Sequence, residues 1–397
     1  MEGKKTIGFV LGRETALCVA EIFAILTREE VKYEIDFFQP PILIISMTPK
    51  SCGFDIKELG GTIKIFDVIG FDLNNDEVQK VLFDMEVAQT EQRINFGISG
   101  YGKINQKLIY RLGKDLKNHY LEGGFKARFV TGKNIELSSV IVTENKLLSR
   151  GFELILVKNK ELYTLGRTTA IQDYKNYGKR DFGRPKRDDR NGMLPPKVAQ
   201  IMINLAQISK NSTLYDPFCG SGTVLQEAIL SGYKNVFGSD INEKQIADTK
   251  DNLLWLEQIF CTETVDKSHL FVADAVTNSP EFQVDAITSE GYLGEPGQKT
   301  IEVAESEIKE LALFYGKVLQ NFSKFLSKDG VVVLAVPFFI IKAKHYYLPI
   351  MDRLSGFTLQ NQIPESIRVK MSPRGTLTYH RSDQFVGREL LVLKSNK

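Results

Sequence analysis

The sequence predicts an α/β protein in which a Rossmann-like domain with a seven-stranded sheet follows two smaller α+β units. Three observations carry this expectation. The segment Leu214-Tyr-Asp-Pro-Phe-Cys-Gly-Ser-Gly-Thr-Val224 reads as an apolar strand ending in an acid, then a glycine-rich turn, then the start of a helix. Two further apolar runs, 236–241 and 270–275, deliver Asp240 and Asp274 at their ends. From residue 193 onward, strand-like and helix-like segments alternate and close on a pair of strands.

The elements follow in order. Residues 6–12 read as a short strand, 14–27 as a helix, 33–37 and 41–46 as strands, and 60–69 as another. They form a first α+β unit, 1–69, with no catalytic constellation. A second unit, 70–165, has a strand at 93–99 and an amphipathic helix with a basic face at 106–121. Strands are expected at 126–130, 138–142, 152–157 and 162–165. Residues 166–192 are polar, basic and aperiodic, and are expected to be a linker. In the third unit, 193–397, Pro195-Pro196 marks a helix start. The helix after the glycine turn covers 221–230 and stops at Gly232. Further helices are expected at 243–259, 301–326 and 342–354, and strands at 284–288, 331–336, 357–363 and 389–393.

The glycine turn points to a nucleotide-like cofactor. Gly220 and Gly222 allow a tight turn and close approach of a ligand. No Gly-Lys-Ser/Thr follows, which excludes a triphosphate loop. Asp216 at the strand end would repel a pyrophosphate but suits a cationic ligand, and S-adenosylmethionine carries both a sulfonium and an ammonium. Asp240 lies 24 residues beyond Asp216, and an acid about 20 residues past the glycine turn is the usual partner of ribose hydroxyls. Asp274 is placed to accept from an adenine amine. Phe218, Thr223, Ile241 and Ala275 flank these positions and complete the expected cofactor site. Leu194 and Pro195 belong to a stiff loop able to close over the methionine end. The competing reading is that the acids simply cap the helices that follow.

Composition bounds the rest. The 397 residues suffice for two or three domains, and 43% hydrophobic with 25% charged residues is ordinary for a globular chain. No apolar run approaches about 18 residues and no signal peptide opens the chain, so a cytoplasmic location and no membrane association are expected. Cys18, Cys52, Cys219 and Cys261 form no C-x-x-C pair and the four histidines are scattered, so no metal site is expected. Cys219 falls in the glycine turn, which asks for a small residue rather than a thiol. The net charge of +2 hides an asymmetry: residues 101–197 contain 21 Lys/Arg against 10 Asp/Glu. Aromatic residues interleave with Arg167, Lys179, Arg180, Arg184, Lys186, Arg187 and Arg190. Rings that stack and cations that reach phosphates point to a nucleic acid as the partner.

The chain resembles the THUMP-domain tRNA guanine-N2 methyltransferases of the guanosine-10 branch. The resemblance covers nearly the whole chain. Phe9-Val-Leu-Gly-Arg-Glu14, Arg180-Asp-Phe-Gly-Arg-Pro185, Gly192-Met-Leu-Pro-Pro-Lys-Val-Ala199 and Asp216-Pro-Phe-Cys-Gly-Ser-Gly-Thr223 carry it, with Leu377-Thr-Tyr-His-Arg381 and Gly387-Arg-Glu-Leu390 in the tail. It implies a ferredoxin-like N-terminal region, a THUMP domain that grips tRNA, and a Rossmann-like methyltransferase domain. It also leaves room for a small activating subunit.

The fourth strand departs from that family. Its members place Asp/Asn-Pro-Pro-Tyr there, to accept from an exocyclic amine and to stack on a flipped base. This chain has Asp285-Ala-Ile-Thr-Ser-Glu-Gly-Tyr-Leu-Gly294. Counting from Asp285 puts Glu290 on the family acid, whereas aligning on the tyrosine puts Ser289 there. Glu290 is favoured as the acceptor, Tyr292 as the stacking ring and Ser289 as the alternative acceptor. The leading expectation is an S-adenosylmethionine-dependent methyltransferase acting on a guanosine N2 amine in tRNA. The alternatives are a DNA adenine or cytosine amino-methylase, and a non-catalytic RNA-binding protein that kept the fold.

Overall fold

The computed structural model of the protein describes residues 4–48, 53–85, 93–187, 193–262, 269–295, 297, 300–381 and 384–397. Cys52, Arg190 and Gly192, named above, lie outside them. In chain order the first half runs β1 (Lys5–Leu11), α1 (Thr15–Arg28), β2 (Tyr33–Gln39), β3 (Ile42–Met47), β4 (Thr62–Leu73), α2 (Asn75–Phe83), β5 (Arg93–Tyr101), α3 (Gln106–Glu122), β6 (Lys126–Val130), α4 (Ser139–Glu144), β7 (Gly151–Asn159) and β8 (Leu162–Ile171). The second half runs α5 (Tyr174–Phe182), α6 (Pro196–Leu205), β9 (Thr213–Asp216), α7 (Thr223–Leu230), β10 (Asn235–Asp240), α8 (Glu243–Phe260), β11 (Leu270–Val272), β12 (Val284–Glu290), α9 (Ile301–Phe325), β13 (Leu326–Ile341), β14 (Lys344–Tyr347), β15 (Phe357–Leu359), β16 (Leu377–Tyr379) and β17 (Val386–Ser395).

The chain divides into two compact units. One comprises Met1–Thr15, Val31–Lys57 and Thr62–Lys175. It is built on one eight-stranded sheet in the order β2-β3-β1-β4-β8-β7-β5-β6. Strand β4 pairs with β1 on one side and β8 on the other. The boundary expected at 69/70 therefore falls inside a strand, and one sheet carries both segments. A buried polar cluster crosses this sheet. Lys64 pairs with Glu153, and its ammonium also donates to Leu137 O at 2.6 Å. Ser99 and Thr168 donate to the two oxygens of Glu153 at 2.6 and 2.8 Å. Every member has a partner, which is what lets such a cluster persist in a core.

The other unit comprises Ala16–Glu30, Glu58–Gly61 and Asn176–Lys397. Its main sheet has seven strands in the order β11-β10-β9-β12-β13-β17-β15, with β14 added beside β13 and β16 beside β17. Strands β9 to β13 are mutually parallel, and β17 runs antiparallel to β13. This is the expected Rossmann-like arrangement. Its core gathers Tyr215, Ile287, Tyr315, Phe322, Val332 and Leu391. The N-terminal helix α1 clusters here as well. Its buried Glu21 accepts from the Gly60 and Gly61 N–H groups at 2.8 Å each and from Asn204 at 2.9 Å.

Three sequence expectations are corrected. Residues 138–142 are not a strand: Ser138 caps helix α4 by accepting from Ile141 N at 3.3 Å, and the cap outweighs the β-branched run. The expected linker is not plain in its described part, 166–187, because β8 continues to Ile171 and α5 follows. Residues 342–354 are not a helix. Strand β13 runs on into a hairpin with β14, turned by Lys342 and Ala343 at φ 47° and 62°.

Removing one partner of the buried pair in the eight-stranded sheet leaves the other charge in the core. Lys64→Met is expected to destabilise that unit by about 3–5 kcal/mol. Urea denaturation followed by circular dichroism would show this as a lowered midpoint.

Candidate active site

The order of the parallel strands reverses between β9 and its neighbours β10 and β12. At such a switch point the connecting loops diverge and leave a crevice at the carboxyl ends of the strands. A cleft of about 630 Å³ opens there, lined by residues of the glycine turn, the three strand-end acids, the fourth-strand loop and the C-terminal tail. All eleven expected cofactor residues except Pro195 and Gly222 line it. Pro195 instead sets the start of α6, and Gly222 starts α7.

Asp216 ends β9 and is only 2% exposed. Its Oδ1 accepts from Phe218 N at 3.1 Å and from the Ser289 hydroxyl. Burial pushes its pKa up to about 7 against the lowering effect of those two donors, and the charges of Asp240 and Glu290 push the same way as burial. Gly222 stands at φ 85°, where a Cβ would lie 2.9 Å from Thr249. A Cβ on Gly220 would meet open space, so the backbone itself faces the cleft. Asp240 Oδ2 accepts from Gly220 N at 3.0 Å and Oδ1 from Asn242 N at 2.9 Å, and burial raises its pKa. It thus braces the turn and leads into α8, while each oxygen retains a lone pair. Asp274 Oδ1 accepts from Val276 N at 2.9 Å. Ile241, 70% exposed, offers the cleft an apolar side.

The fourth strand β12 delivers Ser289, Glu290 and then Tyr292. Ser289 is fully buried and its hydroxyl donates to Asp216. That corrects its role as an alternative acceptor: it supports the first acid rather than facing the cleft. Glu290 does line the cleft, and its Oε1 accepts from Arg388 Nε at 2.8 Å. Tyr292 is 48% exposed at the mouth, where its hydroxyl donates to Glu295 at 2.9 Å. Its carbonyl accepts from the Tyr315 hydroxyl at 2.7 Å. A Cβ on Gly291 would lie 2.3 Å from that same hydroxyl. Tyr315 therefore excludes a proline at 291, which accounts for the departure from the family pattern.

The basic segment divides. Arg180 is buried and its Nε donates to Glu227 at 2.7 Å, with the guanidinium 4.3 Å from the Tyr177 ring. Arg184 is buried too, and donates to Thr223 Oγ1 at 2.6 Å. Neither is available to RNA, and the expectation is corrected for both: each neutralises or caps a group inside the domain. Lys186 is half-buried, 3.3 Å from Asp251. Lys179 and Arg187 are exposed, and Arg167 is half-buried 5.5 Å from the Phe152 ring. The sequence reading missed Arg388, Gln384 and Phe385. These tail residues line the cleft, and Phe385 is 47% exposed. Their distance along the chain hid them.

Residues 184–291 match the family model described as RMKL-like, methyltransferase domain. This stretch is similar to the methyltransferase domain that the model describes. Two curated proteins named tRNA (guanine(10)-N2)-dimethyltransferase are similar to the chain. The one from Methanothermobacter thermautotrophicus is 26% identical over 38% of this chain and 40% of its own length. The one from Methanocaldococcus jannaschii is 28% identical over 37% of this chain and 38% of its own. The chain thus matches about two fifths of each relative. The crystal structure of TrmN from Thermus thermophilus shares the fold, with a TM-score of 0.56 at 16% identity over 99% of this chain and 100% of that one. These matches bear out the resemblance to tRNA guanine-N2 methyltransferases for the part of the chain that the curated relatives cover.

Gly291→Ala should drive a methyl group into Tyr315 and destabilise the domain by about 1–3 kcal/mol. Adding Tyr315→Phe should restore part of that loss, because it removes the hydroxyl, the nearest of the Tyr315 atoms that the added Cβ would meet, while the ring carbons remain. Thermal melts of the single and double variants would show non-additive shifts.

Proposed function

We propose that the chain is an S-adenosylmethionine-dependent methyltransferase acting on the exocyclic N2 amine of a guanosine in tRNA. The observation that carries this reading is one cleft that joins three strand-end acids and a glycine turn to an acid and an exposed ring from the fourth strand. The names of the curated relatives support the choice of tRNA and of the N2 amine.

The residues present fit the cofactor. The cleft is large enough for a nucleoside with an amino-acid arm. Asp240 and Asp274 retain acceptor capacity for ribose hydroxyls and an adenine amine, and Gly220 presents bare backbone. Asp216 supplies a carboxylate for the cationic end. When bound, the cofactor supplies an electrophilic methyl group. Glu290 accepts from the target amine and favours a pyramidal nitrogen, and Arg388 orients the Glu290 carboxylate. Tyr292 presents a ring face for the flipped base. In-line placement does the remaining work. On the RNA side, Lys179, Arg187 and Arg167 remain as the phosphate-facing candidates of the basic segment.

Mass spectrometry of nucleosides from tRNA incubated with the protein and labelled cofactor tests the reading. Label in N2-methylguanosine or its dimethyl form is expected. Label in methyladenosine or methylcytidine of a DNA substrate instead would overturn it in favour of the amino-methylase. Absence of label on any tRNA or DNA would favour the non-catalytic binder.

Asp240→Ala should weaken cofactor binding at least about tenfold, since it removes charged hydrogen bonds worth roughly 1.5–3 kcal/mol each. Calorimetry reads this directly. The pH dependence has a definite sign. Folded Asp216 holds its proton up to about pH 7, whereas an unburied Asp loses it near the ordinary value of 3.8. As pH rises through that window the group lowers folding stability. A cationic ligand prefers the ionised form, so cofactor affinity should climb with pH by up to about tenfold per unit and level off above 7. Flat affinity between pH 5.5 and 8.5, a range set around that pKa, would separate Asp216 from the cationic end.

A further inference from the structure

The reaction proposed above makes no use of the β13–β14 hairpin, yet three features single it out. The first is its place. Strand β13 continues past the cleft, pairing Phe339 with Val386, and Ile340 N donates to Phe385 O at 2.8 Å. Phe385 and Val386 line the cleft, so the hairpin springs from its mouth.

The second feature is rigidity. The rings of His345 and Tyr347 each lie 5.0 Å from the buried ring of Phe338, and the His380 ring lies 5.7 Å from His345. Gly387 is what lets Phe338 sit there, since a Cβ would fall 2.1 Å from its ring. The Arg374 guanidinium lies 5.2 Å from the Tyr347 ring and donates to Leu348 O at 2.6 Å. The rings of His345 and Tyr347 are thus backed by a buried ring rather than left on a loose loop.

The third feature is charge. Lys342, Lys344 and Lys370 are exposed, as is His345. The charged groups that act on His345 are His380 and Lys370, both basic. Glu389, the acid that faces this group from β17, is buried and paired with Arg374 and Thr376.

We propose that this hairpin, with the facing segment that carries Lys370 and His380, is a docking surface for the RNA strand next to the target nucleotide. Lys342, Lys344 and Lys370 neutralise phosphates, and the supported rings of His345 and Tyr347 receive a flanking sugar or base. A base drawn into the cleft must leave its stack, and the exposed backbone beside it needs a partner on the catalytic unit itself. The inference rests on the reading that the cleft takes a nucleotide of RNA.

The test uses the full chain carrying Lys342→Glu, Lys344→Glu and Lys370→Glu together. Its control is Lys309→Glu, Lys317→Glu and Lys324→Glu, the same charge change at exposed positions of α9. Filter binding of an unmodified tRNA transcript is measured across salt concentrations, and calorimetry with S-adenosylmethionine checks that the domain is intact. The hairpin triple should lose at least about tenfold in tRNA affinity at physiological salt, with a salt slope shallower by about 2–3. The control should change by less than about threefold, the effect of net charge alone. Equal loss in both triples, no loss in either, or a wild type that does not bind tRNA would overturn the proposal. If the charge reversals impair folding, Lys→Gln at the same three positions should give the same ordering with a smaller loss. Specific loss of binding in the hairpin triple, with no methyl transfer by wild type, would sink the proposed reaction and leave this surface standing.

Discussion

The hydrogen bond from Ser289 to Asp216 is the contact on which the site depends. Asp216 ends β9 and Ser289 lies near the end of β12, adjacent strands paired through Leu214–Ala286 and Tyr215–Ile287. The switch in strand order opens a crevice at this edge, and an acid in its floor is cut off from water. Such a group needs donors inside the protein, or its ionised form becomes prohibitively unfavourable. The backbone of Phe218 supplies one donor and Ser289 the other. The pKa still rises, so burial outweighs both donors. The acid is held in place yet is poised between charge states, which suits a ligand that brings its own positive charge.

The glycine turn that follows is braced from behind. Thr249 of α8 donates to Gly220 O at 2.6 Å, and Asn252 donates to Ser221 O at 2.8 Å and to Lys186 O at 2.9 Å. Arg184 donates to Thr223 at the first turn of α7, and Arg180 meets the buried Glu227 of the same helix. The segment 180–186 therefore acts as a strap over the base of the turn. Much of its positive charge is directed into the domain. A count of cations along the chain cannot separate such internal charge from charge offered to a polyanion.

What the sequence revealed follows from range. Strand–acid–turn–helix units are local, so the Rossmann-like sheet and the strand-end positions of Asp216, Asp240 and Asp274 were legible. The Ser138 cap and the Lys342–Ala343 turn run against the β-branched and apolar residues beside them, and in each the residue that starts or turns the element decides the structure. Pairings between distant positions were invisible. Arg180 and Glu227 are separated by 47 residues, Arg184 and Thr223 by 39, and Glu290 and Arg388 by 98. Each is a specific contact with no periodic signature, and together they decide which charged residues face the cleft.

The fourth-strand loop shows how a departure from a family pattern can be made consistent. A proline at 291 would collide with Tyr315, whose hydroxyl instead fixes the loop by donating to Tyr292 O. That bond, together with Gly291 N donating to Ala335 O at 3.0 Å, takes over the restraint that a proline ring would give. The longer acid at 290 is restrained in turn by Arg388, which is 2% exposed and also donates to Gln384 at 2.8 Å. An unpaired flexible Glu would lose side-chain entropy on meeting an amine, whereas one already held by an arginine has lost most of it. The glycine and Tyr315 are thus one substitution set, and the glutamate and Arg388 are another. In each set the second member supplies the rigidity that the first gives up, so the acid and the ring at the cleft stay fixed by a different group of contacts.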